Sequence, residues 1–445
     1  MSGYLTDSIS STGSRTTFTI SAWVKVNGTT INQTIFGAGT ATTNTGKFYF
    51  AINNNQVRIG GGANVYRVTT GLFRDPASWY HLVCAVDTTQ GSDGNRIKLY
   101  VNGESYTDFS AGYNTIPSNQ NTPVNESGKI NTFGAEQGGE KSWDGHMTHM
   151  VLVDGAQLTA SNFGETDSTT GEWKPKADPT GVTYGTNGVF MKCENSGNFG
   201  LDSSGNGNNY TANSFPTGAF STDCASNNFC VMNPLANRFA GSTFTNANLS
   251  VAMGASQSTF NTGTLGVSSG KWYFEMKPTA LGSGTDNCLV GIVSRSDSNG
   301  TSDSLGEPTS IVYRNNGQKK SDSVNATYGA SWTTSNIVMV AIDADNNNIY
   351  FGTDGQWADG SGNNDESNPT SAISFTNTMI SDGVVFPAFG DLSTNSPEPA
   401  AQFNFGNPPF SISSGNADAN GFGNFEYAVP SGYYALCTKN LAEYG

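Results

Sequence analysis

The stretch from Phe73 to Glu104, FRDPASWYHLVCAVDTTQGSDGNRIKLYVNGE, constrains this chain more than any other. It reads as two strands joined by a polar turn. In the first, Trp79, His81, Val83 and Ala85 alternate with Tyr80, Leu82, Cys84 and Val86. In the second, Ile97, Leu99 and Val101 alternate with Lys98, Tyr100 and Asn102, and Asn102-Gly103 then turns the chain back. A period of two closed by Asn-Gly is a strong hairpin signal, because both turn residues must tolerate positive φ.

Composition extends that local reading to the whole chain. Gly at 54 of 445 residues, abundant Asn, Ser and Thr, and only 13% charged residues describe turn-rich antiparallel sheet. Helical proteins carry more Glu, Lys, Leu and Ala, and no run of ten residues has apolar positions at helical spacing. The length exceeds one comfortable core, so two domains of about 200 residues each are expected.

The balance of 21 basic against 36 acidic residues gives a formal charge of −15, with no Lys/Arg cluster to grip a nucleic-acid backbone. No apolar segment is long enough to span a membrane as a helix. The N-terminal MSGYLTDSISSTGS lacks the basic and apolar regions of a secretory signal. Synthesis in a bacterial cytoplasm followed by assembly fits that start. Of the six cysteines, Cys84, Cys193 and Cys288 sit in apolar runs as small hydrophobes, and no pair has zinc spacing. Cys224 and Cys230 bracket a loop and could bridge, although a reducing compartment favours free thiols.

The first domain is expected over residues 1–212. It strings together SAWVKV, FRDPASWYH, AVDTTQ, NRIKLYVNG, DGHMTHMVLVDGAQLTASNFGE, TGEWKPK and DSSGNGN. That order resembles laminin-G-like, concanavalin A-type jelly rolls, most of all those in virion proteins of tailed, especially marine, bacteriophages. Residues 213–234, rich in Ser, Asn, Gly and Pro, read as a linker. Over 235–430 the order GKWYFE, VGI, VAIDADNNNIYF, VFPAFG, FNFG resembles a SPRY domain. Residues 431–445 form a tail with no obvious partner in its own domain. The expected fold is all-β: two antiparallel β-sandwiches, a concanavalin A/laminin-G-like jelly roll and then a SPRY-like sandwich. The polar insertion Ser296 to Pro308 is expected to screen a sheet edge. No heptads or collagen repeats encode a fibre shaft.

Candidate chemistry is sparse. The concanavalin-type fold also carries retaining glucanases, which need two carboxyls about 5 Å apart on one strand face. The family's E-x-D-x-x-E run is absent, and Asp144, Asp154, Glu165 and Asp167 fall at turns. His146 and His149, three apart, are expected on opposite faces of a strand and make a poor metal pair. There is no GxSxG, and the glycines at Gly60 to Gly62 lack the Lys and helix of a phosphate loop. The expectation is therefore a protein that is not an enzyme. Laminin-G-like domains often hold calcium at one end of the sandwich, and the loop acids available are Asp87, Asp93 and Asp144. For sugar or partner recognition the loop aromatics are Tyr66, Tyr106, Tyr113 and Trp143 in domain one. In domain two they are Tyr313, Tyr328, Trp332 and Trp357, where SPRY domains dock partners. The implied role is a non-enzymatic tail-fibre, tail-associated or capsid-surface component at the virion surface. It would form homo-oligomers and bind host-surface glycans or other virion proteins, without nucleic acid or membrane insertion. A secreted lectin-like module is the second reading and a polysaccharide hydrolase the third.

Overall fold

The computed structural model describes residues 3–28, 32–40, 46–168, 171–216, 219–236, 241–254, 259–283, 288–294, 305–306, 309–375, 383–392 and 397–445. The chain divides into two compact units, Met1–Phe220 and Ser221–Gly445. Most of the insertion expected to screen an edge lies outside the described residues.

The first unit is a sandwich of a seven-stranded and a six-stranded antiparallel sheet. The seven-stranded sheet runs Thr211–Asn213, Tyr4–Ser8, Ile130–Phe133, Gln33–Gly39, Lys47–Asn53, Gln56–Gly61, Asn64–Val68. The six-stranded sheet runs Val189–Met191, Gly145–Asp154, Thr17–Val26, Trp79–Asp87, Ile97–Val101, Glu104–Tyr106. Asn102 and Gly103 take φ of 48° and 91°, the left-handed pair that the Asn-Gly hairpin needs. The wider turn before it holds a single four-residue helix, Asp93–Arg96.

Alternation decides which residues meet. Phe18, Ile20, Ala22 and Val24 on one strand and Leu82, Cys84 and Val86 on its neighbour face Phe36, Phe48, Phe50 and Ile59 across the sandwich. The opposite side of the six-stranded sheet is also buried. Val83, Val151, Val153 and Phe190 there pack against Ala160 and Phe163, with Leu158, Trp173 and Tyr184 alongside. The stretches 156–163 and 173–184 thus lie over that sheet as a third layer. Trp79 and Trp23 belong to this outer side rather than to the inter-sheet core: Trp23 stacks on His81 at 4.6 Å, and Trp79 tilts against His146 at 6.1 Å.

The second unit repeats the plan of two packed sheets. Its larger sheet runs Thr243–Thr245, Ser250–Ala252, Pro399–Asn404, Lys271–Leu281, Val338–Asp343, Asn348–Thr353, Gln356–Ala358, Asn364–Glu366. Ile373–Ser374 pairs beside Asn348–Thr353, and Tyr434–Ala435 adds to Lys271–Leu281 in parallel. The second sheet runs Thr259–Thr262, Val385–Asp391, Cys288–Ser294, Ser310–Arg314, Gln318–Ser321, Val324–Thr327. Trp272, Phe274 and Met276 enter the inter-sheet core. Tyr273 and Glu275, which alternation would send to water, are equally buried. The chain from Phe422 to Cys437 covers them, bringing Phe425 and Tyr433 against Tyr273, Met339 and Trp357.

Two expected boundaries are corrected. Both ends of the proposed linker belong to the units: Asn213 and Phe215 join the first sheet and core, and Phe229, Cys230, Val231 and Met232 are buried in the second. The proposed free tail is part of the fold: Thr438–Tyr444 is a helix, Leu441 and Tyr444 pack on the core, and Tyr444 stacks on Tyr434 at 3.9 Å. Cys230 donates its backbone N–H to Leu436, and Thr438 donates to Asn228, so the two ends of the unit are tied together. All six cysteines, Cys224 and Cys230 included, are free thiols.

Candidate functional site

A cleft of about 220 Å³ opens on the outer side of the seven-stranded sheet, lined by Lys47, Tyr49, Ala51, Arg58, Glu136 and Lys141 among others. Its floor follows from strand alternation. Phe48, Phe50 and Ile52 turn into the core, so Lys47, Tyr49, Ala51 and Asn53 of the same strand point outward. Tyr49 pairs in register with Gly60, and a Cβ there would stand 2.3 Å from the Tyr49 hydroxyl. Gly60 is what allows the Tyr49 ring to lie across the neighbouring strand. Burial is the main cause that raises the Tyr49 pKa, so its phenol stays neutral.

The wall comes from a distant loop. Glu136 accepts from Lys47 Nζ at 3.0 Å through one carboxylate oxygen and from Lys141 Nζ at 2.6 Å through the other. Gly138 and Gly139 both take φ of 79° in that loop, where a side chain would be strained. A Cβ on Gly139 would also stand 2.7 Å from the Tyr4 ring. Arg58 is half-buried, its Nε is inaccessible and lacks a hydrogen-bond acceptor, and no carboxylate among the described residues pairs with it. Three cations therefore meet one carboxylate in a chain whose formal charge is −15.

The aromatics singled out in the sequence fall elsewhere. Tyr66, Trp143, Tyr313, Tyr328, Trp332 and Trp357 are all buried, which corrects their reading as exposed loop contacts. Tyr313, Tyr328, Trp332 and Phe351 form one aromatic cluster inside domain two, and the Tyr328 hydroxyl donates to the Ser371 carbonyl at 2.8 Å. Such rings bury large apolar areas, and the two tyrosine hydroxyls find backbone acceptors, Tyr313 on the Ala330 carbonyl and Tyr328 on that of Ser371. Tyr106 is half-buried against Phe73 and Phe109, and its hydroxyl accepts from the Gly71 N–H at 2.9 Å. Tyr113 alone of the eight is exposed, at 40%.

The three acids considered for calcium do not converge. Asp87 pairs with Thr17 and Asp144 precedes Gly145, which pairs with Val26, so nine steps of strand separate them, roughly 30 Å. Asp87 accepts from Thr89 and Gln90, Asp93 is held by Arg67 at 2.8 Å, and Asp144 accepts from Asn27. Among the described residues no three His, Cys, Asp or Glu side chains are grouped to hold a metal ion.

Other candidate groups are committed to the fold. Asp154 accepts from the Ser14 and Asn187 N–H groups and from Asn125, while Lys174 lies 2.8 Å from Asp167 and 3.9 Å from Glu165. Glu275 takes four donors: the Tyr273 hydroxyl, Asn404 Nδ2 and the N–H groups of Glu426 and Tyr427. Burial is the largest influence on its pKa and raises it, against the lowering effect of those donors. His146 and His149 share a face, contrary to strict alternation. The register slips between Thr148 and Val151, and His149 at φ of 47° swings against Phe190, on the side that carries His146.

Residues 2–162 match the family described as the Concanavalin A-like lectin/glucanases superfamily, and residues 271–407 match the SPRY domain. No curated protein matches the sequence. Among solved structures, the SPRY domain of human HERC1 is similar at 15% identity and a TM-score of 0.30, over 39% of this chain and 96% of that one. Stonustoxin is similar at 15% identity and a TM-score of 0.29, over 39% of this chain and 27% of that one. A concanavalin A-like domain followed by a SPRY domain points to a carbohydrate- or protein-binding role.

Proposed function

We propose that the chain is a non-enzymatic adhesion protein whose first domain binds surface carbohydrate. The observation that carries this reading is the cleft over Lys47–Asn53, where cationic side chains, a neutral tyrosine and backbone meet at an opening. The match of the surrounding domain to a lectin/glucanase superfamily supports it. The commitment of Asp154 to internal donors supports binding over hydrolysis, since a retaining glycosidase needs a nucleophilic carboxylate and a second carboxyl about 5 Å away. The resemblance of the joined domains to phage virion proteins supports a place on a virion surface, in several copies, facing a host cell.

A shallow site of this size gives weak single-site affinity, on the order of millimolar to micromolar. Multivalent display adds avidity of about 10²–10⁴ without a new contact. The test compares purified protein as monomer and on beads, on host cells before and after their surface polysaccharide is stripped. Bead binding that exceeds monomer binding and vanishes on stripping is expected. Binding that survives stripping identifies a protein receptor, and reducing-sugar release lost on mutating one acid identifies a hydrolase; either result replaces this reading.

A further inference from the structure

We propose that the cleft over Lys47–Asn53 takes an acidic sugar residue, one bearing a carboxylate or a sulfate ester, within a longer saccharide. This rests on the carbohydrate-binding reading and narrows it to a chemical class. The charge count is the first reason. Lys47, Arg58 and Lys141 outnumber Glu136 three to one at this opening, although the chain as a whole holds 36 acidic against 21 basic residues. A neutral sugar leaves that local excess unmatched, whereas one anionic group meets it.

Preorganisation is the second reason. Glu136 clamps both ammonium groups, at 3.0 and 2.6 Å, so an incoming anion finds them fixed. Fixed groups cost less to order on binding than free ones. Arg58 supplies what the lysines lack. No carboxylate among the described residues pairs with it, and with Nε inaccessible its two terminal nitrogens are the donors left for parallel hydrogen bonds to a carboxylate or sulfate. Tyr49, neutral and laid across Gly60, sets its ring beside the charge, with Lys47 Nζ 5.7 Å from the ring centroid.

Size is the third reason. A volume of about 220 Å³ is below the roughly 300–1,000 Å³ of pockets that engulf drug-sized ligands, so the cleft seats one residue of a chain that continues past it.

The experiment titrates the full chain with four probes by calorimetry: a uronate-containing oligosaccharide, a sulfated one, an uncharged oligosaccharide of the same backbone, and a Glu-rich peptide. Wild type, R58Q and K141Q are compared after confirming unchanged melting. The Lys141 side chain is 36% exposed, so K141Q keeps the test valid if R58Q misfolds. Charged saccharides are expected to bind at least about tenfold more tightly than the uncharged one, to weaken about tenfold in each variant, and to weaken further in high salt. The two charged arms tell carboxylate from sulfate. Equal binding of the uncharged probe, lost in the variants, overturns the acidic-sugar inference and leaves the cleft as a carbohydrate site. Charged-probe binding untouched by both variants overturns the inference by placing the ligand elsewhere. Binding of the peptide alone overturns it together with the carbohydrate reading.

Discussion

At the scale of single residues, His81 is the group whose environment is most fully specified. Trp173 Nε1 can only donate, and it lies 3.0 Å from His81 Nδ1, so that ring nitrogen is the unprotonated acceptor. The proton therefore sits on Nε2, which donates to Ser21 Oγ at 2.8 Å. Burial, with His149 nearby, lowers the His81 pKa from 6.5 to about 3. Burial and Lys192 lower that of His149 to about 4. Unfolded, both rings protonate near pH 6.5, so the unfolded chain takes up the extra protons as pH falls. Domain one thus holds this stability above pH 6.5 and loses it progressively below. At pH 4.5, two units under the unfolded value, the loss from His81 is about 3 kcal/mol. Urea denaturation at a series of pH values should show it, and H81Q should lower stability at pH 7 while removing about half the slope between pH 6.5 and 4.5. An unaltered slope in H81Q contradicts the buried neutral ring.

At the scale of elements, the strands that close short turns were legible. Thr17–Val26, Trp79–Asp87 and the Val338–Asp343 to Asn348–Thr353 hairpin fall where alternation and Asn/Asp turns place them. The covering layers were not. Tyr273 and Glu275 look like an outer face because a sequence shows which residues share a side, and not what comes back to lie on it. The same holds for the cleft. Lys47 and Arg58 sit on readable strands, yet their wall, Glu136, is 89 residues from Lys47, and no local pattern announces that meeting. The aromatic residues misled for a related reason: Tyr313 lies within the strand Ser310–Arg314 with its ring in the inter-sheet core, and Trp332 fills the same interior from outside a strand. The terminal helix supplies a direct check. Asn440 is buried and donates to Asp418 and to the Ala435 carbonyl, both at 2.8 Å. Deleting residues 438–445 should destabilise domain two by on the order of 3 kcal/mol or more, through lost Leu441 and Tyr444 packing and the loss of one of the four donors to Asp418. Unchanged thermal stability after the deletion would mean that the helix contributes nothing.

At the scale of the whole molecule, each unit owns its core, and fragments 1–220 and 221–445 should fold separately. Limited proteolysis should cut first within 214–222, and an early cut inside 223–234 would contradict the burial of Phe229 to Met232. The outer side of the seven-stranded sheet has a consequence of another kind. On the strand Lys47–Asn53, the residues that fix the fold and those that line the cleft are neighbours in sequence yet never share a side. Phe48, Phe50 and Ile52 can stay fixed while Lys47, Tyr49 and Ala51 are exchanged, so inheritance can rewrite what is recognised without reopening the question of how the chain folds. A lineage under pressure from a changing target would find its freedom to vary concentrated there, and its constraint one residue away.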